Sequence, residues 1–424
     1  MKMNRIFMAV MAGVCLLSSQ SCLKEQADIF TESSSERLQS YLDEAQKILT
    51  SAENGWIMEY YPGSGQSLGG YSYHLTFTDS EVDAVFELDP ANSYKSLYKM
   101  TSDNGAVLSF DSYNAALHYF ATPSSLEYQA KGGDFEFTIT SVSPEKIGLK
   151  GKRSGNHYDL YPYDGELSPK EYMAKVAETG GNVRAAFIDG MVGETQVHGT
   201  VDLNHRRITF TYNDSDGEEV VVEAPYMYTS NGIRTYELVE VAGYHFREMQ
   251  YHAANNIFTT GSVTFTGSLP EDYTNYEDFE GSYKFVMYGG KIEYDVVLTP
   301  SDDKSGYVMS GILPQLRIRL GYDKALGRLT MDSQAVGADG SNTVWLAAWS
   351  LSQEGNLTWA EGYGMTISRD LQMKGRFVFE DNGKTDMVID SFILWATTSS
   401  GTSAGQFTGW GDNQFPYVQY LIKK

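Results

Sequence analysis

The order of apolar and polar positions predicts one helix followed by a long series of strands. Leu38, Tyr41, Leu42, Ala45, Ile48, Leu49 and Ala52 recur at helical intervals, Ser33 and Glu36 have capping-box spacing, and Asn54-Gly55 supplies a stop. Such a stripe packs on a sheet or, in the other reading, docks onto a partner. Period two then takes over. Tyr71, Tyr73, Leu75 and Phe77 alternate with Ser72, His74, Thr76 and Thr78. Phe135, Phe137 and Ile139 alternate with Asp134, Glu136, Thr138 and Thr140, and Ile208, Phe210 and Tyr212 follow the same rule. Each run predicts a strand with one buried and one wet face, as in antiparallel sheets. Asn104-Gly105, Asp216-Gly217, Asn231-Gly232 and Asn382-Gly383 fall between runs, where their tolerance of positive φ suits tight hairpins.

A second, short helix is signalled by Ser168-Pro169, with Glu171 three residues after the serine and Gly180-Gly181 as the stop. The expected fold class is therefore mainly β: antiparallel sandwich or barrel-like units with an N-terminal helix and this second one. Residues 31–268 form helix plus β domains, with a sub-boundary near 167–181. The acidic stretch from Pro270 to Glu280 reads as a linker, and residues 277–424 as a C-terminal β domain that begins in earnest at Gly281-Ser282-Tyr283.

The first 21 residues change the picture of where the chain works. Lys2 and Arg5 precede an apolar run from Ile6 to Leu17, too short for a bilayer of ~30 Å, and Ser18, Ser19, Gln20 and Ser21 lead to Cys22. This resembles a bacterial lipoprotein signal, with Cys22 as the acylated residue, although Ser19 stands where leucine is usual. An ordinary cleaved signal with an incidental cysteine is the alternative. Residues 22–30 then read as a lipidated tether. The chain's two cysteines are Cys15 and Cys22, so the mature body has no disulfide, thiolate metal site or cysteine nucleophile. The net charge is −23, and loss of Lys2 and Arg5 with the signal makes it −25. A surface so acidic repels phosphate backbones and anionic headgroups, which excludes nucleic acid as a partner.

Several runs carry a family resemblance: Glu53-Asn54-Gly55-Trp56, Gly69-Gly70-Tyr71, Leu108-Ser109-Phe110-Asp111-Ser112-Tyr113-Asn114, Gly132-Gly133-Asp134-Phe135-Glu136-Phe137 and Leu149-Lys150-Gly151-Lys152-Arg153. In these the chain resembles a Bacteroidetes lipoprotein family known as domain of unknown function 4302. The resemblance implies an outer-membrane lipoprotein, at the cell surface or on the periplasmic face, beside nutrient-transport components. It implies no catalytic residue.

Recognisable catalytic patterns lack their context. Gly401-Thr402-Ser403-Ala404-Gly405 matches a nucleophile elbow, but no helical period follows it and the last histidine is His252. Ser143 with Lys146, and Ser301 with Lys304, have acyl-enzyme spacing on what read as polar turns. His245 and His252 differ in parity along a strand, so opposite faces and no shared metal are expected. Asn213 to Glu219 clusters oxygens as a calcium loop does, yet reads as a solvated hairpin. No metal or cofactor is expected, and no enzyme.

Five of six tryptophans, Trp345, Trp349, Trp359, Trp395 and Trp410, lie in the last third of the chain. Trp345 and Trp349 share parity and so share a face. Buried, they fill a core; exposed, they stack on sugar rings, with Trp410 the most exposed because of its glycine-rich loop. The leading expectation is a non-enzymatic binding lipoprotein for glycan or peptide. A structural subunit of an envelope complex is the alternative, and a hydrolase stands further off.

Overall fold

The computed structural model describes residues 33–103, 105–123, 130–302, 305–353 and 355–424. Cys22, the signal and the tether lie outside these residues, as do Asn104 and Lys304.

The first helix, Ser34–Leu49, begins where the capping box places it, with Ser33 and Glu36 satisfying each other's backbone N–H groups. Its buried Leu42, Ala45 and Leu49 fill the concave side of a nine-stranded antiparallel sheet spanning residues 56–162. The Trp56 indole N–H donates to the Leu49 carbonyl at 2.8 Å, which ties the helix end to the sheet. Asp134 is buried and accepts from the Tyr158 hydroxyl at 2.7 Å and the Arg153 amide at 2.6 Å.

The other side of this sheet is not wet. Ser72 and His74 are fully buried. The second helix, Pro169–Asn182, lies across that side and packs Met173 on Ile57 and Val85. Alternation within 71–77 thus marks two buried faces of unequal polarity, because the cover comes from residues far along the chain. Burial pushes the His74 imidazole pKa down, so the ring is neutral.

The second helix also lends Val176 to the core of a closed eight-stranded barrel, residues 187–268, whose first strand pairs with its last from Phe187↔Ser268 to Gly190↔Phe265. Two buried carboxylates bind barrel to sheet. Glu59 accepts from Arg234 and Arg247, each at 2.6 Å. Glu87 pairs with Arg206 at 2.5 Å, whose guanidinium lies 3.8 Å from the Tyr71 ring centre and 4.7 Å from that of Tyr228. Each charge is compensated at its site, as burial demands.

A second closed eight-stranded barrel spans residues 281–423, its first strand Gly281–Met287 paired with its last, Val418–Lys423. Two long excursions interrupt it. One leaves after Arg328–Asp332 and returns at Gly364–Arg369; the other leaves after Arg376–Asp381 and returns at Val418. Together they build a six-stranded sheet from 334–339, 342–350, 356–358, 391–397, 403–406 and 414–415. One face of it closes the barrel core through Val344, Leu346, Phe392 and Leu394. Among the described residues no helix is long and apolar enough to cross a membrane.

Replacing Glu59 with Gln removes the carboxylate while leaving two arginines facing each other. Breaking a fully buried pair costs ~3–5 kcal/mol, and solvent reaches these arginines, so a loss of about 2–3 kcal/mol is expected in urea unfolding. An unchanged midpoint would show that the charges hold nothing together.

Candidate functional site

Strands Asn342–Ser350 and Ser391–Thr397 pair antiparallel from Thr343↔Thr397 to Trp349↔Ser391. Alternate residues of both enter the barrel core, so Trp345, Ala347 and Trp349, with Ser391, Ile393 and Trp395, face outward. Trp345 and Trp395 are direct cross-strand partners. On the other flank Asn356–Thr358 sets Leu357 opposite Trp349 and brings Trp359 into the cluster. Ala347 and Ile393 form its floor, beneath partly buried Trp359 and Trp395, and no residue of either barrel belongs to it among the described residues.

The indole N–H groups of Trp345, Trp349 and Trp395 are spent inside the sheet. Trp345 donates to the Thr397 hydroxyl at 2.9 Å, Trp395 to the Ser403 hydroxyl at 3.0 Å, and Trp349 to the Gly355 carbonyl at 3.0 Å. Pinned in this way, the rings have lost their donors and keep their apolar faces. Trp349 is 9 % exposed, and Trp345, Trp359 and Trp395 are half-buried. Asp390 fastens the loop beyond Trp349 by accepting the amides of Leu351 and Ser352 and the Ser391 hydroxyl. Burial alone raises this carboxyl, but those hydrogen bonds outweigh it and hold its pKa below the ordinary aspartate value.

Trp349, Trp359 and Trp395 thus share one cluster, Trp345 stands beside it as the cross-strand partner of Trp395, and Trp410 lies elsewhere. Its indole packs edge-on against Phe407, 5.1 Å between ring centres, and lies over Gly337, where an added Cβ would stand 2.5 Å from the ring. A glycine distant in sequence makes this seat, so Trp410 is half-buried on the barrel core rather than the most exposed ring. Trp56, the sixth, is deep in the N-terminal core.

Other candidates resolve into local structure. Ser403 accepts the Trp395 indole on a short strand, and Ser143 caps a turn by accepting the Lys146 amide. Asp214 closes its loop by accepting the amides of Asp216 and Glu218. The faces of His245 and His252 differ from expectation. A register shift in the paired strand between Arg234 and Val239 disturbs the alternation, and both side chains are exposed. Their partners remain separate: Glu240 for His245 and Thr259 for His252. No group of three His, Cys, Asp or Glu able to hold a metal occurs among the described residues. A cleft of about 610 Å³ between the barrels, lined by Phe187, His205, Asp332 and Lys384 among others, contains none of the tryptophans.

Fold and face together define an all-β protein with an aromatic surface on its C-terminal sheet. The chain belongs to the family described as Domain of unknown function (DUF4302), which residues 26–253 match, more than half of its length. Residues 258–395 match a second family described only as a domain of unknown function (DUF4987), whose span includes Trp345, Trp349 and Trp359 and ends at Trp395. No curated protein matches the sequence. Among solved structures, a protein of unknown function (DUF3598 family) from Nostoc punctiforme is 11 % identical and has a TM-score of 0.13, covering 56 % of this chain and 94 % of its own. The Helicobacter pylori beta clamp crystallised with carprofen is 10 % identical over 92 % of this chain and 97 % of its own, with a TM-score of 0.13. Likenesses this slight carry no argument.

A lowered folded-state pKa makes the stabilising share of Asp390 complete above the ordinary aspartate value near ~3.9. It erodes as pH falls through the window below, where the unfolded chain takes the proton first, and is absent below the folded value. Urea unfolding followed by tryptophan emission, from roughly pH 5 to pH 3, should therefore fall less steeply with acid in Asp390→Asn than in the parent. Parallel slopes would contradict the assignment.

Proposed function

We propose that this chain is a lipid-anchored envelope protein that binds glycan through the tryptophan face of its C-terminal sheet and serves nutrient uptake beside outer-membrane transport components. The observation that carries this reading is the outward aromatic face on which Trp345, Trp359 and Trp395 stay partly exposed around buried Trp349, with three indole N–H groups already bonded internally. A tryptophan buries roughly 200 Å² when covered, so a ring left up to about a third exposed forgoes up to about 1.7 kcal/mol at ~25 cal/mol per Å². A ligand that covers the rings recovers this, and the apolar face of a pyranose fits a flat ring without needing its N–H. The anchor is Cys22, by the lipoprotein-like pattern of residues 1–22.

The same outward face would serve a structural subunit, which is the second reading. Native gels containing dissolved polysaccharide separate the two. Retardation of the parent, weakened about tenfold by Trp395→Ala or Trp345→Ala, is expected. Trp410→Ala should keep the retardation while losing about 3 kcal/mol of stability, since it empties a packed site. Retention by no polysaccharide, with a neighbouring envelope protein captured by crosslinking, would favour the structural subunit. For the anchor, fatty acyl chains on the mature terminus and release of Cys22→Ser from membranes are expected; a Cys22→Ser protein that stays membrane-bound would contradict it.

A further inference from the structure

Strand register assigns each side chain of the tryptophan face, and no strand position on it is Asp, Glu, Lys or Arg. Thr343 and Thr397 close one end of the central pair; Ala335 flanks Trp345, and Leu357 flanks Trp349. On the opposite flank Gln406 lies across from Trp395, and Gln414 across from Ile393. Charged residues make up 21 % of the chain, and its net charge is −23. A face without them is therefore a local exception on a strongly acidic molecule.

The two glutamines share one edge of the strand Ser391–Thr397. Their partners there are two residues apart, which spaces the amides by about 7 Å along the strand direction. Both side chains are exposed, and neither amide has a hydrogen-bond partner among the described residues. A carboxamide donates and accepts at once, as a sugar hydroxyl does, so it can serve vicinal hydroxyls without a proton or a charge. An anionic sugar would meet no counter-charge on this face and a repulsive field around it.

We infer that the ligand is an uncharged polysaccharide, and that Gln406 and Gln414 read its hydroxyl groups while the indoles carry its ring faces. This rests on the tryptophan face being the binding site, and the test keeps the two apart. The full mature chain is titrated with neutral polysaccharides of several linkages (starch, β-glucan, hydroxyethyl-cellulose, galactomannan) and with the carboxymethyl derivative of each. The titrations are run in salt high enough to screen long-range repulsion. At least one neutral polymer should bind, with its carboxymethyl derivative at least tenfold weaker. Gln406→Leu and Gln414→Leu should each weaken the neutral polymer about tenfold without moving the melting temperature, because a lost hydrogen bond to a ligand hydroxyl is felt at this scale.

A carboxymethyl derivative that binds as tightly as its parent overturns the uncharged class. Glutamine variants that bind like the parent, while Trp395→Ala does not, overturn the assigned readers and leave the face as the site. No binding by any polymer overturns both.

Discussion

The pairing of Asn342–Ser350 with Ser391–Thr397 is the constraint on which the proposed function depends. Because side chains in a strand alternate strictly, the residues that close the second barrel decide where their neighbours go. Val344, Leu346, Phe392 and Leu394 are each buried to within 1 % of completely. Burial of a large apolar side chain stabilises by roughly 1.5–3 kcal/mol, so a slip of one residue would sacrifice several such terms at once. Trp345, Trp349 and Trp395 therefore stand on the outer face because the inner face is fixed. Once there, Thr397, Ser403 and Gly355 take their N–H groups and hold the rings in place.

A different force joins the N-terminal sheet to the first barrel. Their contact has charged ties at its centre, with Glu59 and Glu87 each buried against arginines contributed by the barrel. Such pairs tolerate little change in geometry, since removing one partner strands a charge away from water. The DUF4302 match runs across both sheet and barrel, consistent with a unit whose halves complete each other's charges. The second helix reinforces the junction by giving Met173 to one side and Val176 to the other.

What could be read from the sequence alone divides along range of interaction. Both capping boxes act over three residues, and both helices begin where Ser33 and Ser168 place them. The mainly β class followed from alternation, and the shared face of Trp345 and Trp349 from parity. Features set by distant residues were hidden. Ser72 and His74 alternate like a solvated face, yet the second helix and the first barrel cover that side. Trp410 sits in a glycine-rich loop but fills the space over Gly337. Gln406 and Gln414 become neighbours of the tryptophan cluster only through strand register, for which their local sequence holds no signal.

The account stands or falls on the aromatic face being open to solvent in the folded, unliganded chain. Hydroxyl-radical footprinting with mass spectrometry, residue by residue, measures this directly. Trp345, Trp359 and Trp395 are expected to oxidise much faster than Trp56, whose ring is 1 % exposed. Protection of Trp345 and Trp395 equal to that of Trp56 in the monomer would contradict it, since those rings would then belong to a core.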